Sequence, residues 1–198
     1  MKRSRLSRGL QVMYLGVVVS ILLVVALPLI QLALMRVTYT TDLTLLDRVV
    51  GVVVPACMVV GLVLLWREHR GYRLTLVAYL ASLVVGEVTT YLPLLAGATT
   101  VLSITGAAFS CIYIWLMIHT TNFFLRQTGD EQYTRMGMWV LIVNAIALAA
   151  AAAFSLPPIL ANLSYEIVSA ASTILVLLTI VGSILYLLYI VHASKVLE

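Results

Sequence analysis

The sequence predicts an all-α fold, a polytopic membrane protein whose six transmembrane helices account for most of the chain. Three observations carry that expectation. Of the 198 residues, 63% are hydrophobic and only 10% are charged, whereas soluble domains carry roughly 25% charge. Six apolar stretches, at residues 10–35, 49–66, 74–95, 101–125, 136–154 and 167–191, approach the ~20 residues that a helix needs to cross a hydrocarbon core about 30 Å thick. Runs such as Val17-Val-Val-Ser-Ile-Leu-Leu-Val-Val-Ala26 do not alternate apolar and polar positions, which argues against the strands of a transmembrane barrel.

The first span follows a basic segment, Met1-Lys-Arg-Ser-Arg-Leu-Ser-Arg8. A secretory signal begins the same way, but its apolar region runs only about 7–15 residues and ends at a small-residue cleavage site. Neither condition is met here, so the segment reads as a retained span. Between the first and second spans, Val37–Asp47 has the composition of a short interfacial segment. The third span carries Glu87, the only acid inside a long apolar stretch. The fifth is nearly all alanine from Ala145 to Ala153. Small side chains let helix backbones approach closely, which predicts a central place for this helix in the bundle. Cys57 and Cys111 lie near mid-span, where the expectation is small packing residues rather than a disulfide.

Basic residues predict the orientation. Lys2, Arg3, Arg5, Arg8, Arg67, Arg70, Arg73, Arg126, Arg135 and Lys195 fall on one side of the six-span scheme, and only Arg36 and Arg48 fall on the other. The positive-inside rule then places both termini in the cytoplasm and the chain in a plasma or inner membrane. The formal net charge of +4 is thus a topology signal. No basic run has the interleaved aromatics of a nucleic-acid surface. The expected partners are the lipid bilayer and a second copy of the chain or another membrane protein.

Leu27-Pro-Leu-Ile30, Leu92-Pro-Leu-Leu95 and Leu156-Pro-Pro-Ile159 recur at spacings of 65 and 64 residues, each toward the outer end of an odd-numbered span. Proline removes a backbone donor and disfavours helix at the preceding residue, so these places are kinks or stops. The even-numbered spans end on an aromatic residue followed by a histidine: Trp66 and His69, Trp115 and His119, Tyr189 and His192. Two readings stand side by side, a triplicated hairpin and the interface preferences that unrelated membrane helices share. Asn162-Leu-Ser164 is a glycosylation sequon, a triplet common by chance.

The candidate site residues are Glu87, Asn144 and His119. An ionised carboxyl at that depth costs about 2.5–3.5 kcal/mol on insertion scales. Glu87 lies about 20 Å along the helix from Leu74, and His119 lies near the opposite face, so the two are not expected to pair. Arg36 and Arg48 are the outer-side cations that can snorkel toward Glu87. Two roles follow for Glu87: a proton-coupling or cation-binding carboxyl, or a neutral acid that hydrogen-bonds neighbouring helices together. Asn144 is expected to bond between helices, as polar residues in spans commonly do. No catalytic motif appears: there is no His-Glu-x-x-His, no Gly-x-Ser-x-Gly and no Gly-rich phosphate loop. Neither an enzyme, a metal centre nor a cofactor is therefore expected.

The size and six-span topology resemble those of the substrate-binding components of energy-coupling vitamin transporters, a likeness without a shared motif. The expected function is a small solute transporter or the membrane substrate-binding subunit of a transport complex. The alternative is a sensor, assembly or regulatory protein that binds a partner within the bilayer, because the mid-membrane polar set (Ser20, Glu87, Ser110, Asn144, Thr179) is thin.

Overall fold

A computed structural model describes the backbone of residues 2–35, 44–91, 96–154, 156 and 164–198, and the side chains of 5–19, 21–22, 51–90, 97–130, 133–154, 156, 164 and 166–198. Six helices make up almost all of it: α1 Lys2–Met35, α2 Thr44–Leu65, α3 Arg70–Tyr91, α4 Ala96–Gln127, α5 Glu131–Phe154 and α6 Tyr165–Val196. Four of them, α3 to α6, contain stretches long and apolar enough to cross a membrane. Most helices outrun the apolar stretches that announced them, because the backbone ladder continues into polar flanks such as Lys2–Gly9 and Glu131–Arg135. Arg36, the Arg48 and Ser20 side chains, most of the 37–47 segment, Asn162 of the sequon and the prolines at 93, 157 and 158 lie outside the described residues.

The prolines behave differently from one another. Helix α1 continues through Pro28, and α2 contains Pro55. Neighbouring helices and local adjustment make such interruptions tolerable within spans.

Two turns at the end of the bundle that carries both termini are built by recognisable local chemistry. Helix α4 ends in a Schellman motif: the Asp130 amide donates to Leu125 O and the Gly129 amide to Arg126 O. The residue between these contacts must be left-handed, and Gly129 has φ +81°. At the start of α3, the His69 ring Nδ1 accepts from the Gly71 amide at 3.0 Å, and the ring packs on Phe123 and Phe124 of α4. This end is called basal below, and the opposite end distal.

The helices form a closed ring in chain order, α1–α2–α3–α4–α5–α6 and back to α1, with α2–α3 the loosest seam. Consecutive helices therefore pair as antiparallel hairpins. The tightest approaches use glycine. A Cβ on Gly9 would fall 2.6 Å from the Leu65 side chain, and one on Gly16 would fall 2.9 Å from Cys57. Gly61 is pressed against Met13 in the same seam. Helix α5 is not central, contrary to its alanine content; it packs between α4 and α6 as one member of the ring. Small residues permit close approach but do not fill space, and the axis is filled by larger side chains from all six helices.

That filling is confined to the basal half. Leu10, Met13, Leu62, Leu65, Tyr72, Met117, Leu125, Val140, Tyr189 and Ile190 are fully buried there. A polar network threads this apolar plug. The Tyr72 and Thr121 hydroxyls share a hydrogen bond of 3.1 Å. The Tyr189 hydroxyl donates to Asn122 Oδ1 at 2.7 Å, and Asn122 Nδ2 donates to Thr134 O at 3.3 Å. These bonds tie α3 to α4 and α6 through α4 to α5. Around the outside, Asp130 and His192 side chains meet at 2.9 Å and fasten the α4–α5 turn to the end of α6.

Candidate functional site: a central cavity at mid-height

Helix by helix, the residues nearest the distal end that are still buried are Val17, Met58, Tyr79, Ile114, Ala147 and Gly182. Among the described residues none is buried beyond that level. The basal plug therefore has a top surface, and a cavity of about 160 Å³ lies there. Every helix contributes to it: Val17 from α1, Val54 and Met58 from α2, Tyr79 from α3, Tyr113 and Ile114 from α4, Asn144 from α5, and Ser183 and Tyr186 from α6. Tyr79, Tyr113, Asn144 and Ser183 each sit within a few residues of the midpoint of their membrane-length stretch. Solute sites in secondary transporters lie near the same level.

The wall has two chemistries. Helices α1 and α2 supply aliphatic and thioether surface, whereas α3 to α6 supply three phenols, one amide and one serine hydroxyl. The Tyr79 and Tyr113 rings meet edge to face at 5.2 Å, the arrangement favoured by ring quadrupoles. Asn144 Nδ2 donates to Val140 O of its own helix at 2.8 Å, a bond within α5 rather than between helices. Its amide also lies over Gly182, where a Cβ would come within 3.2 Å of it; glycine there leaves room for the amide at the cavity wall. Tyr186 is 7% exposed, and its hydroxyl is the one buried side-chain polar atom without a hydrogen-bond partner among the described residues. A buried unmade bond costs about 1–3 kcal/mol. Among the described residues no acid, lysine or arginine lines the cavity.

Distally, three described positions on the faces that line the cavity are exposed. On an α-helix, positions seven apart share a face within about 20°. Gly86 is seven residues beyond Tyr79, Gly51 seven beyond Met58, and Thr179 seven beyond Tyr186; all three are exposed. A Cβ on Gly86 or on Gly51 would meet nothing within 4 Å. Among the described residues the ring is packed at its base, and the positions above the cavity on these faces are exposed.

The residues singled out by sequence separate. Asn144 is in the cavity wall. Glu87 is exposed on α3, about 12 Å beyond Tyr79 along the helix and about 80° around from it. Val85 and Ser82 face α4, with Ser82 bonded to Ser110 at 2.8 Å and Val85 against Gly106. Glu87 points to the side of α3 turned away from α4. His119 is exposed on α4, stacked with Trp115 at 5.4 Å, and lines an outer groove instead of the interior. The three histidines thus have three separate settings, and no group of three or more His, Cys, Asp or Glu converges among the described residues.

The tyrosines were the signal that sequence reasoning passed over. Tyr79, Tyr113 and Tyr186 are interior to their apolar stretches, where interfacial belts do not explain them, while Tyr72 and Tyr189 stand near the basal ends. Their seven-residue spacing on α3 was visible, but which helices faced one another was not. No protein-family model, curated protein or solved structure matches this chain, so the cavity and its walls carry the functional reading.

Proposed function

We propose that the chain is a six-span membrane protein that binds a small uncharged solute in the central cavity, as a solute transporter or as the membrane substrate-binding subunit of a transport complex. The observation that carries this reading is the Tyr186 hydroxyl, buried without a partner in a cavity to which all six helices contribute. A solute hydrogen-bonding group relieves that deficit. The wall also suggests the solute's character. With no charged side chain in it, an ion would lose its hydration without compensation, whereas a neutral molecule with one polar edge and one apolar edge matches both halves.

With both termini cytoplasmic, as the basic residues favour, the open distal end faces outward. The state is then outward-open, and release inward requires the basal plug to part. The bonds of Tyr189 to Asn122 and Tyr72 to Thr121 stand at that closure. Glu87, well beyond the cavity, belongs on this reading to the mouth. The substitution E87Q separates its roles: lost uptake with solute binding intact marks a coupling carboxyl, whereas unchanged uptake eliminates coupling.

The decisive experiment is solute binding and uptake in proteoliposomes against a panel of small neutral and charged solutes, with Tyr186→Phe and Asn144→Leu alongside. A neutral solute should bind and lose at least tenfold in affinity in Asn144→Leu. Saturable binding that ignores both substitutions would place the site elsewhere.

The second reading, a non-transporting assembly or sensor protein, is favoured by the same distal opening. Helices of a partner membrane protein can also pack on α6, where Ile174 and Leu177, turned away from the Tyr186 face, are more than half exposed. A stoichiometric partner that protects a cysteine placed at Thr179 from modification distinguishes this reading from a solute-filled vestibule.

A further inference from the structure

A second concavity, about 410 Å³, lies on the outside of the ring between α4 and α5 toward the basal end. Its floor and deeper wall are apolar: Trp115, Ile118, Met138 and Leu141. Its basal end is polar, with Arg126, Gln127, Asn122 and His119 lining it. The gradient runs along α4, because residues 115, 119, 122 and 126 occupy one face at successive turns. Arg126 lies about 10 Å along the helix from His119. Arg126 is the one guanidinium in the lining among the described residues. Among the described residues no acid lines the groove, and the nearby Asp130 is engaged with His192 at 2.9 Å on the α6 side.

We propose that this groove binds one anionic glycerophospholipid from the surrounding leaflet. Its phosphate lies at Arg126 and Gln127, and its ester carbonyls accept from the side chains at the level of Asn122 and His119. One acyl chain follows Trp115, Ile118 and Leu141. Charge complementarity selects this occupant. A zwitterionic lipid brings a choline cation to the same arginine, and a soluble phosphate has no use for the apolar half. Anionic lipid head groups favour basic clusters at membrane surfaces by about fivefold per Lys or Arg. The site is independent of the central cavity and faces a different medium.

The test uses the full chain with Trp66→Phe and Trp139→Phe, so that Trp115 is the only tryptophan left, reconstituted in phosphatidylcholine vesicles containing a minor fraction of dibrominated lipid. Bromine quenches tryptophan on contact. Dibrominated phosphatidylglycerol should quench Trp115 with an apparent association about fivefold or more above dibrominated phosphatidylcholine. Arg126→Gln should remove most of that preference, while Arg70→Gln, at the start of α3, should leave it intact. Equal quenching by the two lipids overturns the proposal. So does an equal loss in Arg126→Gln and Arg70→Gln, which would mean a diffuse basal field. Native mass spectrometry of the unsubstituted chain is the second measurement, independent of how the tryptophan variants fold. One phosphatidylglycerol should remain bound after detergent extraction where phosphatidylcholine does not, and inorganic phosphate should not displace it. Displacement by phosphate would reduce the site to an anion contact.

Discussion

Tyr186 concentrates the chemistry of this protein in one atom. Its ring completes the top of the basal plug, and its hydroxyl is left without a partner among the described residues. Tyr186→Phe should therefore leave the solute-free protein as stable as the parent or more stable, by up to about 1–3 kcal/mol, while weakening solute binding. Thermal unfolding in detergent and binding in vesicles, measured on the same preparation, check both halves. A destabilised variant would mean that the hydroxyl is bonded after all. Tyr189 is the contrast: its hydroxyl is spent on Asn122 at 2.7 Å, so Tyr189→Phe should cost about 1 kcal/mol. Glu87 illustrates the limit of residue identity. Its isolation in an apolar run marks it from the sequence, but whether it faces cavity, neighbour or outside depends on an 80° difference in helical direction.

Between elements, stability comes from contact rather than from escape of apolar groups into a core. In lipid, apolar side chains gain little by leaving their surroundings, so helices associate through close packing and hydrogen bonds. The α1–α2 seam shows this most clearly, with Gly9, Gly16 and Gly61 each opposed by an atom too near to admit a side chain. Gly61→Leu should force α2 away from Met13 and destabilise the bundle by about 1–3 kcal/mol, whereas Gly51→Leu, in open space, should change stability little. Comparing the two unfolding temperatures controls for glycine's own helix penalty. The Asp130–His192 contact is partly exposed, with side chains 20% and 25% accessible. Such pairs are worth little, so its role is to hold the α4–α5 turn against α6 rather than to add stability.

At the scale of the whole molecule, the packed basal half and the exposed positions above the cavity among the described residues predict an accessibility map. On a background without Cys57 and Cys111, cysteines at Gly86 and Thr179 should react with a membrane-impermeant thiol reagent applied from the distal side. A cysteine at Val140, 0% exposed, should not. Reaction at Val140 and protection at Gly86 would invert the proposed state. Adding a bound solute should slow modification at Thr179, because that position stands directly above Tyr186 on α6. Reporter fusions at both ends test the orientation, and a signal from opposite sides for the two termini would remove the six-span scheme.

Composition and hydrophobic length by themselves determined the helical class, the element order and the approximate helix positions. Those properties follow from one physical constraint, that a backbone in lipid must satisfy its own hydrogen bonds, and local sequence is enough to express it. The histidine environments, the place of α5 in the ring and the convergence of Tyr79, Tyr113, Asn144 and Tyr186 were decided only by tertiary structure. In a helix that is apolar on every side, periodicity does not say which face turns inward. The facing is set by fine differences in side-chain size between neighbours, such as Gly61 against Met13 and Gly182 beneath Asn144. Those pairings exist only once the ring has closed.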